Sequence, residues 1–362
     1  EARRQVFDGL LPTVAGAHRG EFNHRFAQPS VQASRGFGQL PPFCDEPQQD
    51  PRTGERQPGL LDRQRAAGGV PRIMYLNTAA EYWPGDVSRG SASLLHTDLA
   101  GQRDVEPPPE VRIYTFAGTQ HGSGALPLRR VSATGSRAAH HLNVLDFTPL
   151  IRAALVNLER WVTRGEEPPP SLFPRLADGT AVPLATVLDR LRAIPGISLP
   201  DAEQLPAPRR LDLGPEAANG IGRYPVQTGA AYPRFVSAVD EDGNELGGIR
   251  LPDLVHPVAT YTGWNPRAPE TGGTGQLVMM WGSTLPFPAT AARQRNGDPR
   301  AAIGERYRDR EDYRARVQTA AEQLAAQGYL LNEDVPLVVQ LALGRYDAFA
   351  AVPTAAGDGA GG

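Results

Sequence analysis

The chain has 362 residues, 40% hydrophobic and 21% charged, with a net charge of −3. That composition suits a globular protein with room for a sizeable core, as one large α/β unit with extensions or as two domains. No apolar run approaches the ~20 residues of a membrane-spanning helix, and no basic stripe with interleaved aromatics points to nucleic acid. Every one of the 37 basic residues is arginine, which excludes a Schiff-base lysine, pyridoxal-phosphate chemistry and a GxxxxGK[ST] phosphate loop within this chain.

Residues 1–70 are rich in glycine, proline and arginine and show no sustained periodicity. The chain opens on "EARRQVFDG", with no initiator methionine and no charged-then-apolar leader. This is read as processing or as a fragment of a longer protein, and localisation is left open. The single cysteine, Cys44 in "PPFCDEP", allows no internal disulfide and is read as structural. "PRIMYLNT" (71–78) predicts a buried strand. "VRIYTFAG" (111–118), after the break "EPPPE", predicts another.

The stretch 146–170 predicts an amphipathic helix. Thr148 or Asp146 is its cap, Pro149 sits in its first turn, and Gly165 ends it. Leu150, Ile151, Leu155, Leu158, Trp161 and Val162 would share one face. Strand, acidic loop, strand, histidine loop and helix, in that order, suggest an α/β unit with a mostly parallel sheet flanked by helices. Further on, 235–251 reads as a hairpin turning near Asp242-Gly243, and 256–264 and 275–283 look extended. Two helices follow, one from an Asp309 cap to Gly328 and one from Asn332. The tail "AAGDGAGG" is expected to be disordered.

In open α/β sheets, ligands bind at the carboxyl ends of the strands. Glu81 follows the first predicted strand and His121 the second. With one crossover between them, adjacent parallel strands would bring both loops to one sheet edge. A histidine that titrates near neutrality can shuttle a proton, and a carboxylate on its other nitrogen fixes its tautomer. Asp86 and Asp98 share the inter-strand loop, so either is an alternative orienting acid.

"AGAHRGEFNHRF" gathers His18, Arg19, Asn23, His24 and Arg25. Arg19 and Asn23 are candidate substrate contacts, since arginine forks match carboxylates. The plainer alternative is an ordered loop whose arginines pair with nearby acids. Trp83, beside Glu81, is a candidate pocket wall. His140-His141 lack ligand spacing, there is no HExxH, and "DEDGNELGG" lacks the terminal glutamate of a calcium loop, so no metal or other cofactor is expected.

Several long phrases resemble the bacterial α/β hydrolase domain family. They are "VFDGLLPTVAGAHRGEFNHRFAQP" (6–29), "LNTAAEYWPGDVSRGSASLLHTDLAG" (76–101), "VRIYTFAGTQHG" (111–122), "FPRLADGTAVP" (173–183) and "GIRLPDLVHPVATYTGWN" (248–265). The likeness runs from about Val6 to about Val335. It implies a partial α/β-hydrolase fold, with residues 1–170 forming the C-terminal portion of the core. Residues 171–350 would be a mixed hairpin-and-helix extension, and 351–362 a tail. By analogy with the fold it also implies a serine nucleophile on a strand-to-helix elbow, with Glu81 and His121 as partners, acting on a small ester-like substrate.

No GxSxG occurs in the chain, and Ser88, Ser123 and Ser283 do not sit between an apolar strand and a helix. The expectation is therefore a nucleophile upstream of Glu1 and a 362-residue chain that by itself hydrolyses nothing. The rival expectation is a non-catalytic binding or scaffold protein that keeps the hydrolase architecture. Oligomeric state is not read.

Overall fold

The structure, a computed structural model, describes residues 5–18, 39–84, 90–294 and 297–351. Its organising element is a parallel three-stranded sheet in the order β1 (Gly9–Leu10), β2 (Arg72–Thr78), β3 (Val111–Phe116). Register runs from Ile73 opposite Val111 to Thr78 opposite Phe116, and from Gly9 opposite Arg72 to Leu10 opposite Ile73. Past β1, Thr13 bridges to Leu76. Parallel strands buried on both faces are apolar throughout rather than alternating, and here the period of two sorts their side chains into two cores. Ile73, Tyr75, Val111 and Ile113 enter one cluster, and Met74, Leu76, Tyr114 and Phe116 enter another.

Helix α1 (Thr148–Arg164) covers the second face. Its N-cap is Phe147, which makes no side-chain cap, rather than Asp146 or Thr148; just before it, one Asp146 carboxylate oxygen accepts from the Thr148 N–H at 2.9 Å and the Thr148 hydroxyl at 2.7 Å. Gly165, at φ 72°, ends it in the left-handed conformation glycine adopts most cheaply. Its buried face uses Leu150, Ala153, Ala154, Leu158 and Trp161, whereas Leu155 is exposed. Ile151 and Val162 are partly buried against the same cluster, so of the expected face only Leu155 lies outside it.

A second sheet is antiparallel, ordered β5 (Ala259–Thr262), β6 (Ser283–Pro286), β4 (His141–Leu142). Of the stretch 275–283 only its end is strand. Met280 turns at φ 71°, and Leu277 makes a single bridge to Pro266. The predicted hairpin is narrow: Val239 bridges Glu245 around Gly243 at φ 79°, while Val236–Ser237 pairs with Ala181–Val182 instead.

Short helix α2 (Pro252–Val255), then α3 (Arg310–Ala326) and α4 (Val335–Ala350), complete the largest core cluster, which draws on residues on both sides of position 170. Asp309 caps α3 by accepting from the Asp312 N–H. Arg345 of α4 is buried and meets Asp253 of α2 through Nε at 2.6 Å and Nη2 at 3.1 Å, and its Nη1 donates to the Val144 carbonyl. No described helix is long and apolar enough to cross a membrane.

Candidate active site

The carboxyl end of β2 runs into a single 3₁₀ turn, Ala79–Glu81, built by Thr78-Ala79-Ala80-Glu81 as a capping box. The Thr78 hydroxyl accepts from the Ala80 N–H, and Glu81 Oε2 accepts from both the Thr78 N–H and the Thr78 hydroxyl, each at 2.6 Å. The Glu81 side chain is fully buried. One carboxylate oxygen is therefore anchored, and the other is aimed.

It is aimed at His121. Glu81 Oε1 and His121 Nδ1 lie 2.8 Å apart across 40 residues of chain, and the imidazole is 23% exposed. The loop from β3 to His121 is braced at successive residues. The Gly118 N–H donates to Glu245 Oε2 at 2.8 Å, and the Gly118 carbonyl accepts from Asn143 Nδ2 at 2.7 Å. The Thr119 hydroxyl donates to the Phe116 carbonyl, and Gln120 Oε1 accepts from the Gly282 N–H. Gly118 stands at φ 66°, and a Cβ there would lie 2.8 Å from the Leu254 side chain, so both conformation and space require glycine.

Three further buried groups, Tyr82, His96 and Glu245, surround the pair's two loops. Tyr82, next to Glu81, places its hydroxyl 2.9 Å from His96 Nε2 and 2.8 Å from Thr115 Oγ1, tying the end of β2 to β3. Burial pushes the His96 imidazole down to about 3, so it stays neutral and stacks on Phe173 with centroids 4.3 Å apart. Glu245 is pushed up to about 7 by burial, against the pull of the Gly118 N–H and the Trp83 side chain.

Trp83 is buried and packs on Trp264, with ring centroids 5.1 Å apart, so it forms core behind Glu81. Asp98 is turned to the Gln102 N–H and the Arg103 guanidinium and makes no contact with His121. Ser123 donates to Asp146 Oδ1, and buried Ser283 donates to the Trp264 carbonyl, so neither hydroxyl is given to the imidazole. Arg19, Asn23, Asp86 and Ser88 lie outside the described residues. Among the described residues no group of three His, Cys, Asp or Glu could hold a metal ion.

Sequence reading missed Thr78, His96 and Glu245. The first had a legible signal, the T-x-x-E spacing. The other two did not: Glu245 reaches the loop across 127 residues.

A search of curated proteins and a search of solved structures each return no match. The family model described as an alpha/beta hydrolase domain matches residues 1–340. Together with the parallel sheet and its flanking helices, that match across nearly the whole chain establishes that this protein belongs to the alpha/beta hydrolase domain family.

Proposed function

We propose that this protein is the acid-and-histidine portion of a serine hydrolase acting on carboxylic esters. Glu81 orients His121, His121 moves the proton, and a serine N-terminal to the 362 residues attacks the carbonyl. The single observation that carries the reading is the 2.8 Å contact of a buried, anchored carboxylate with a half-buried imidazole at the carboxyl ends of adjacent parallel strands. With Glu81 ionised, Nδ1 must be the donor, which leaves Nε2 as the basic nitrogen that faces the nucleophile.

As serine attacks, Nε2 takes its proton. The buried carboxylate stabilises the imidazolium, and the proton then passes to the leaving alkoxide. The upstream position of the serine is supported by the other engagements of two of the three in-chain candidates, Ser123 and Ser283, the third, Ser88, lying outside the described residues. It is also supported by the outer edge of β1, which carries no partner strand among the described residues and can accept another parallel one.

The experiment compares the product of the full reading frame with the 362-residue chain on p-nitrophenyl esters, with fluorophosphonate labelling mapped by mass spectrometry. Only the longer protein should turn over and label, at a serine upstream of Glu1. His121→Ala should lower its kcat by about 10²–10⁴-fold, and Glu81→Gln should lower kcat with KM little changed. His121-dependent turnover by the 362-residue chain, or an active full-length His121→Ala protein, would overturn the reading.

A further inference from the structure

A cavity of about 280 Å³ opens beside the antiparallel sheet, lined by His140 and His141 on one wall and Leu285, Pro286 and Phe287 on another. Neither Glu81 nor His121 lines it. Three arginines line it, Arg130, Arg293 and Arg300, against one acidic residue, Asp298. That carboxylate is already committed. Arg300 Nε meets Asp298 Oδ1 and Nη2 meets Oδ2, both at 2.9 Å, and this pair is almost wholly buried.

The remaining Arg300 nitrogen donates to Thr260 Oγ1 and to the Leu285 carbonyl. Arg300 and Asp298 therefore cancel and form part of the wall. Arg130 and Arg293 make no side-chain hydrogen bond or ion pair among the described residues.

The charge of Arg130 is felt at both histidines. Both imidazoles are held below the ordinary histidine range, by burial first and then by the positive field of Arg130. His140 Nε2 sits beside the Ser198 backbone, 2.9 Å from its nitrogen and 3.3 Å from its carbonyl oxygen. Both arginines are exposed, and with no carboxylate paired to them among the described residues they give the mouth of the cavity a positive potential. Planar guanidinium forks match oxyanions two bonds at a time.

We propose that this cavity is a binding site for a small oxyanion, the carboxylate or phosphate group of a small molecule, held between Arg130 and Arg293 with His141 at its side. The site stands apart from the proposed hydrolytic pair but is coupled to it in register. His141 pairs with Thr284, two residues beyond Gly282, whose N–H is held by Gln120 next to His121.

Isothermal titration of the 362-residue chain at constant ionic strength tests this, with inorganic phosphate and with succinate as separate probes and chloride as the balancing ion. Saturable one-to-one binding is expected for at least one probe, and which one binds identifies the anion. Affinity should fall tenfold or more in the Arg130→Ala/Arg293→Ala double variant. It should be unchanged in Arg160→Ala/Arg164→Ala, which removes the same charge from the exposed face of α1. All three proteins should give the same circular dichroism. Non-saturable heats with both probes, or equal affinity in the double variant and the parent, would overturn the assignment.

Discussion

At the scale of single residues, Glu81 and Glu245 are two buried carboxylates with different surroundings. Among the described residues Glu81 accepts from Thr78 twice and meets His121 Nδ1. Glu245 has the Gly118 N–H and is pushed up to about 7 by burial. A carboxyl that binds its proton more tightly folded than unfolded makes the folded state lose stability as pH rises. For Glu245 that loss begins near the ordinary glutamate value and is complete at about 7. Glu245→Gln keeps an acceptor for Gly118 and removes the titration. Urea unfolding measured from pH 4.5 to 7.5 should therefore show a flatter decline in the variant; identical slopes would mean that Glu245 is not the group responsible. His96 works in the opposite sense. Held down to about 3, it costs stability as pH falls below the unfolded histidine value, so it contributes to acid unfolding.

Among elements, the critical meeting is that of the 3₁₀ turn carrying Glu81 with the end of β5. A Cβ at Gly263 would lie 2.5 Å from both the Ala79 carbonyl carbon and the Ala80 nitrogen, which are backbone atoms that cannot rotate away. Gly263→Ala should therefore shift the turn and cost about 1–3 kcal/mol, as overpacking does. Chemical denaturation would measure the cost, and a change below a few tenths of a kcal/mol would show that the turn yields freely. The two parallel strands and helices α1, α3 and α4 were legible because their signals are local: apolar runs, a Pro in the first turn, Gly165 and Asp309. Leu155 and the stretch 275–283 were misplaced because local pattern does not say which side of a helix meets a sheet, or that Met280 turns left-handed.

Across the molecule, the Arg345–Asp253 pair pins the C-terminal helix to the centre of the largest core cluster. Both side chains are essentially excluded from water. Asp253→Ala would strand a buried guanidinium and should cost roughly 3–5 kcal/mol, whereas replacing both partners by apolar residues of similar volume should restore much of it. Thermal and urea unfolding of the single and double variants would decide. A single variant as stable as the parent would mean that water reaches Arg345.

By itself the sequence determined the class of fold, the two strands and the loops that follow them, and the absence of lysine chemistry. Each of these rests on residue type and spacing within a few positions. Only tertiary structure decided that the Glu81 carboxylate and the His121 imidazole touch, that Glu245 and Asn143 hold the histidine loop, and that Arg130 and Arg293 converge on one cavity. Those contacts join residues tens to more than a hundred positions apart. Strand adjacency, close approach at glycines and the burial of charge set such contacts, and no local pattern of residues encodes them.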